Sequence, residues 1–240
     1  DIPSMRNGYT DVNTILQDID KLIGLDEVKK EVRSLISFLQ VERIRAEQGG
    51  KETKLNLHFV FRGNPGTGKT TVARVVSKAF KAMGLLPKEH LKEVDRAGLV
   101  GQYVGHTAKK THEVIDEAMG GVLFIDEAYT LASDKFGTEA IDTLLKRMED
   151  DKGKFIVIVA GYFKEMEGFL DSNSGLASRF TKFIDFQDYD PSELMAIYRL
   201  MLADKRMHLE EEAEQKLIRY FKNIYDNRDG NFANGRTVRN

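Results

Sequence analysis

Residues Gly63 to Thr70 read Gly-Asn-Pro-Gly-Thr-Gly-Lys-Thr. This matches the phosphate-binding loop pattern in full, with Gly63 and Gly68 at its two glycine positions and Lys69-Thr70 closing it. Glycines let backbone N–H groups curl around phosphate oxygens that side chains would otherwise block. A helix opening at the end of the loop turns its positive N-terminal end toward the same oxygens. In such a loop Lys69 reaches the β- and γ-phosphates of a nucleoside triphosphate, and the Thr70 hydroxyl ligates Mg²⁺. The bland alternative is a glycine-rich turn that fits the pattern by chance. An apolar, β-rich run before the loop and a helical pattern after it argue against that.

A second constellation is Val-Leu-Phe-Ile-Asp-Glu, Val122 to Glu127. A buried apolar strand here delivers two acids at its C-terminal end, where open α/β sheets bind ligands. Asp126 is placed to hold Mg²⁺, and Glu127 to polarise an attacking water as general base. Alone, such a strand means little. Paired with the phosphate loop, it argues for hydrolysis of ATP rather than mere binding. Arg179 lies between two predicted strands. It reads equally well as a surface ion pair and as an arginine finger reaching a neighbouring subunit's γ-phosphate, worth about 10³–10⁵ in rate. Arg236 is a plausible γ-phosphate sensor, Arg239 its alternative, and either could simply pair locally. His58, His90, His112 and His208 show no metal-ligand spacing.

These residues need a scaffold. Runs rich in β-formers predict strands over Leu55–Gly63, Val122–Glu127, Lys154–Tyr162 and Lys182–Phe186, with a weak one over His90–Asp95. Helical periodicity covers Gly24–Gly50, Thr70–Gly84, Ala108–Gly121 and Thr138–Gly153. Alternating strands and helices imply a parallel sheet between helix layers. After Pro191 only helical patterns follow. The expectation is therefore a linker or N-terminal extension over 1–20, an α/β domain over 21–189, and a small helical domain over 190–240.

The chain has 240 residues, 41% of them hydrophobic and 31% charged, with a net charge of -2. That balance fits a globular protein and offers no basic surface for nucleic acid or anionic membranes. Cysteine is absent, so disulfides and cysteine metal sites are excluded, and a reducing, cytoplasmic setting is expected. No apolar run is long enough to span a bilayer. The chain begins at Asp1 without Met, and so reads as a piece of a longer protein.

With these motifs in hand, the chain resembles the AAA+ ATPases from about Leu22 onward. It is similar in particular to the group of red-type rubisco activase (CbbX) and stage V sporulation protein K-like ATPases. The segments that carry this are Gly63–Arg74, Leu99–Thr111, Gly120–Leu131, Ala160–Tyr162, Gly175–Phe180 and Phe232–Asn240. The resemblance implies a five-stranded sheet ordered 5-1-4-3-2 and a C-terminal helical lid. It also implies ATP and Mg²⁺ bound between subunits of a ring, usually a hexamer. It assigns Asn64, Pro65, Gly66, Thr67, Gly68, Lys69, Thr70 and Thr71 to the nucleotide, and Ile23 and Gly24 to its adenine pocket. It makes Arg179 the finger and Arg236 the lid sensor. It places Tyr103 and Val104 in a pore loop that grips a polypeptide, whereas a residue-level reading leaves open that Tyr103 packs on its own subunit. One departure stands out: Gly161 and Tyr162 occupy a strand end where many relatives carry a polar sensor.

Three function classes follow. The first is a ring motor that pulls on a protein client, with rubisco as one candidate. The second is an ATP-controlled assembly module without threading. The third, a nucleic-acid motor, fits the slightly acidic balance poorly.

Overall fold

The computed structural model describes residues 3–49, 57–103, 105–228 and 232–239, with side chains from residue 12 on. In chain order the elements begin with α1 (Pro3–Asp20), α2 (Asp26–Glu47), β1 (Phe59–Gly63) and α3 (Lys69–Ala82). Next come β2 (Leu91–Val94), α4 (Arg96–Leu99), α5 (His106–Ala118) and β3 (Val122–Ile125). A 3-10 turn over Ala128–Ser133 leads to α6 (Lys135–Asp150) and β4 (Ile156–Gly161). Then follow α7 (Phe163–Asp171), α8 (Ser174–Arg179) and β5 (Lys182–Phe186). The chain closes on α9 (Pro191–Asp204), α10 (Glu211–Asp226) and α11 (Gly235–Arg239).

All five strands run parallel, in the order β2-β3-β4-β1-β5. This is the expected 5-1-4-3-2 sheet. Successive residues of a strand face opposite sides, so each strand feeds two cores. Phe59, Phe61, Phe124 and Ile158 enter the core shared with α1, α2 and α3. Val60, Leu123, Ile125, Val157 and Val159 enter the core shared with α5 and α6. Covering on both faces explains why β3 and β4 are apolar at every position rather than at alternate ones.

The first residues differ from the linker expectation. They form α1, with Val12, Ile15 and Ile19 buried in the first core. Those positions are spaced i, i+3, i+7, enough for one apolar stripe despite the polar composition. Two short helices, α7 and α8, also fill the β4–β5 connection, where the sequence showed no clear pattern.

The lid has its own core of Tyr189, Leu194, Met195, Phe221, Phe232 and Val238. Its first helix starts at a full capping box: Asp190 accepts from the Glu193 N–H and Glu193 accepts from the Asp190 N–H, each at 2.8 Å. Pro191 occupies the first turn, where a missing N–H costs nothing.

Candidate active site

The carboxyl ends of β1, β3 and β4 open into a cleft of about 580 Å³ that the lid roofs. Its wall brings together Lys69, Thr70, Asp126, Glu127 and Arg236, with Pro65, Gly66, Gly68 and Thr71 beside them. Leu22, Ile23 and Leu25 from the α1–α2 turn line it together with Ile197 and Met201 of α9. Most of the residues expected at phosphate, cation and base therefore line one space.

The phosphate loop is held in shape by its own polar groups. Gly66 and Gly68 are left-handed, with φ of +73° and +92°. The Lys69 ammonium donates to the carbonyls of Gly63 and Asn64, both at 2.8 Å. Burial pushes that ammonium down to about 8, with Asp126 opposing the shift and Arg236 adding to it. Thr67 has no exposed surface and donates its hydroxyl to the Asn64 carbonyl at 2.8 Å. The Asn64 amide turns toward the lid and donates to Asp188 at 2.9 Å. Asn64, Thr67 and Gly24 thus stand behind the cleft wall rather than in it. Gly24 is occupied from the lid side: a Cβ there would lie 2.1 Å from the Glu193 carboxylate. Gly24 and Leu25 are both left-handed, at φ +58° and +59°.

At the end of β3, the Asp126 N–H donates to the Val94 carbonyl at 2.8 Å, which fixes the acid beside β2. Glu127 follows with φ +48°. A non-glycine residue in that region is uncommon and costs of order 1–3 kcal/mol, a form of strain that clusters at active sites. Thr70 and Asp126 give one hydroxyl and one carboxylate on the cleft wall, with Glu93 within 3.4 Å of the Thr70 hydroxyl. So few protein ligands do not cage a cation. They fit Mg²⁺, which takes one or two carboxylates and fills its shell from water and phosphate.

Glu93, Tyr129 and Tyr162 were not singled out from the sequence as site residues. Glu93 also accepts from Arg74 at 3.0 Å. Tyr162 lines the cleft, and its ring centroid lies 5.9 Å from that of Tyr129. Burial, then the charge of Glu127, pushes the Tyr129 phenol up to about 12 and raises Tyr162 as well. Gly161 explains the departure at this strand end. A Cβ there would lie 2.7 Å from both the Tyr129 ring and the Met166 sulfur. Only a residue without a side chain fits under that cover.

Arg179 is not in the cleft. It ends α8, just before β5 begins, whereas Gly63 pairs with Phe186 at the other end of that strand. Its guanidinium donates to Glu149 at 3.1 Å. The ion-pair reading and the remote position therefore coexist within one chain. Tyr103 is 66% exposed on the loop between α4 and α5, with the His106 ring 5.5 Å away. That exposure removes the reading in which Tyr103 packs into its own subunit. Val104 lies outside the described residues.

Comparison with known proteins now adds to this geometry. Residues 59–188 match the model of the ATPase family associated with various cellular activities (AAA), and residues 190–240 match an AAA lid domain. The chain belongs to the AAA ATPase family. This AAA ATPase is 49% identical to stage V sporulation protein K of Bacillus subtilis (strain 168), over 94% of this chain and 73% of that one. It is 43% identical to a chloroplastic ribulose bisphosphate carboxylase/oxygenase activase of Cyanidioschyzon merolae, over 96% of this chain and 80% of that one. It also matches ESX-3 secretion system protein EccA3 of Mycobacterium leprae at 47% identity, over 87% of this chain but only 33% of that one. Among solved structures, the FIGL-1 AAA domain in complex with ADP shares the fold, with a TM-score of 0.59 at 20% identity, over 88% of this chain and 68% of that one. Among the described residues no helix is long and apolar enough to cross a membrane.

Proposed function

We propose that this AAA ATPase works as a ring, most simply a hexamer, that hydrolyses ATP and draws a protein client through its central pore. The observation that carries the ring is the separation of two charges. Lys69, Asp126, Glu127 and Arg236 meet at one end of the sheet, and Arg179 sits at the other. A finger at that position serves the cleft of a neighbouring copy. The glycine-rich loop N–H groups and Lys69 hold the phosphates, and Thr70 and Asp126 hold Mg²⁺. Bound there, Mg²⁺ neutralises charge on the phosphate oxygens. Glu127 takes the proton of the attacking water, and Arg236 from the lid and Arg179 from the neighbour face the developing charge. The base end of ATP lies between Ile23 and the apolar face of α9.

Threading is supported by Tyr103, an exposed aromatic between Gly101 and Gly105. A flat apolar side chain can hold varied sequence because it needs no particular hydrogen bond. The relatives named for rubisco activation and sporulation leave the client's class as a protein, with rubisco one candidate. Glu127→Gln tests the reading. The variant binds ATP without cleaving it, and when immobilised it retains the client from cell extract only with ATP. Adding Tyr103→Ala releases that client. If Tyr103→Ala retains the same protein, the pore does not thread, and ATP-controlled assembly replaces it.

A further inference from the structure

Asn234 has no exposed surface, and its backbone is left-handed at φ +47°. Asparagine visits this region more readily than most residues because its short amide bonds locally. Here the amide also bonds at long range. Its Oδ1 accepts from the Tyr189 N–H at 2.8 Å. Its Nδ2 donates to Asp188 at 2.8 Å and to the Phe232 carbonyl at 3.0 Å, with a longer contact of 3.4 Å to the Pro65 carbonyl. The same oxygen of Asp188 accepts from Asn64 in the phosphate loop at 2.9 Å. One amide therefore ties together the phosphate loop, the end of the sheet domain and the start of α11.

The two backbones also touch. The Gly235 N–H donates to the Gly66 carbonyl at 3.1 Å. A Cβ on Gly66 would lie 2.3 Å from the Ala233 carbonyl oxygen and 2.8 Å from the Arg236 nitrogen. The helix α11 has only five residues, far too few to hold its own shape in water. Its direction must come from its anchors. At its start these are Asn234 and the Gly235–Gly66 bond. Further along, Val238 enters the lid core.

We propose that Asn234 is a positioning residue for ATP cleavage: it locks α11 to the phosphate loop, so that Arg236 is aimed by the loop as well as by the Val238 anchor in the lid core. This rests on the reading of Arg236 as the residue that faces the γ-phosphate. Removing the amide leaves the Tyr189 N–H without its acceptor, takes one donor from Asp188, which keeps Asn64, and frees the helix that carries the guanidinium. A shift of about 1 Å at such a residue can cost on the order of 100-fold in rate.

A double-mutant cycle on kcat tests this. Asn234→Gly removes the amide yet accepts the left-handed backbone. It lowers kcat for ATP tenfold or more, while ADP affinity changes less than threefold because ADP has no γ-phosphate. Arg236→Ala lowers kcat as well, and the double variant falls no further than Arg236→Ala alone. Losses that multiply in the double variant overturn the proposal, since Asn234 then acts only through stability. So does an unchanged kcat in Asn234→Gly beside a lowered one in Arg236→Ala. If Arg236→Ala itself leaves kcat intact, the sensor reading fails first and the proposal falls with it. Should Asn234→Gly not fold, Asn64→Ala carries the same cycle, because it cuts the loop from Asp188 without touching the lid.

Discussion

Two glycine-rich loops lead into helices in this ATPase, and they are built for opposite ends. In the phosphate loop, Gly66 and Gly63 have backbone within 2.4 Å of where a Cβ would sit, and the loop is bonded to the lid through Gly235 and Asn234. In the loop that carries Tyr103, Gly105 has nothing among the described residues within 4 Å of that position, and the tyrosine faces solvent. Gly101 is the exception, pressed against His106 and Thr107 at the root of the loop. The first loop uses glycine for close approach and the second for reach. Precise placement of charge is worth orders of magnitude in rate, whereas gripping a client needs contact without fixed geometry.

The sharpest break of this comparison comes from outside both loops. Arg179→Ala lowers hydrolysis about 10³–10⁵-fold if the finger reading holds, although the residue is far from its own cleft. Mixing that variant with Glu127→Gln, itself down about 10²–10⁴-fold, restores activity, because some boundaries then pair an intact Glu127 with an intact Arg179. No recovery on mixing would place both residues in one subunit's chemistry.

Within the phosphate loop, Gly66→Ala forces a left-handed alanine against the lid backbone. Strain alone costs roughly 1–3 kcal/mol, read as a lowered melting temperature together with weakened ATP binding. The matching change in the other loop, Gly105→Ala, pays only the backbone term and leaves ATP binding unchanged. Equal loss of ATP binding in the two variants would dissolve the contrast.

A further prediction concerns the end of the sheet opposite both loops. His58 is buried there, its Nδ1 accepts from the Val157 N–H at 2.9 Å, and burial pushes it down to about 4. The unfolded chain binds a proton near pH 6.5 that the folded chain refuses, so stability is complete above pH 6.5. It falls as pH drops from there toward 4, by up to about 3 kcal/mol. Chemical denaturation at pH 7.5 and pH 5 measures the drop, and His58→Asn, which keeps an acceptor at the δ position, reduces it. An unchanged drop in His58→Asn would assign it to other groups.

Much of this was legible before any coordinates. The phosphate loop and the Asp126–Glu127 strand end follow from local pattern, because short apolar strands and glycine spacing are written in adjacent residues, whereas the sheet order followed only from the resemblance to the AAA+ ATPases. The linker expectation for the first residues missed α1, since three apolar positions in a polar stretch make a weak periodic signal that burial against α3 strengthens. Asn64 was assigned to the nucleotide, and its side-chain amide faces Asp188. No local rule pairs residues so distant in sequence. Tyr162 stood out only as a departure from a polar sensor, and Tyr129 was hidden for the same reason as Asp188: their proximity exists only where β4 ends beside the turn after β3.

Gly24 carries a consequence of this kind for inheritance. Its missing side chain leaves room for Glu193, and Glu193 is also the residue that closes the cap of α9. A side chain at position 24 pushes that carboxylate aside and weakens its half of the α9 capping box, the bond from the Asp190 N–H, while Asp190 still caps the helix. A genetic screen for lid defects would therefore return hits at position 24, outside the lid itself, and suppressors of those hits would be sought among smaller residues at position 193.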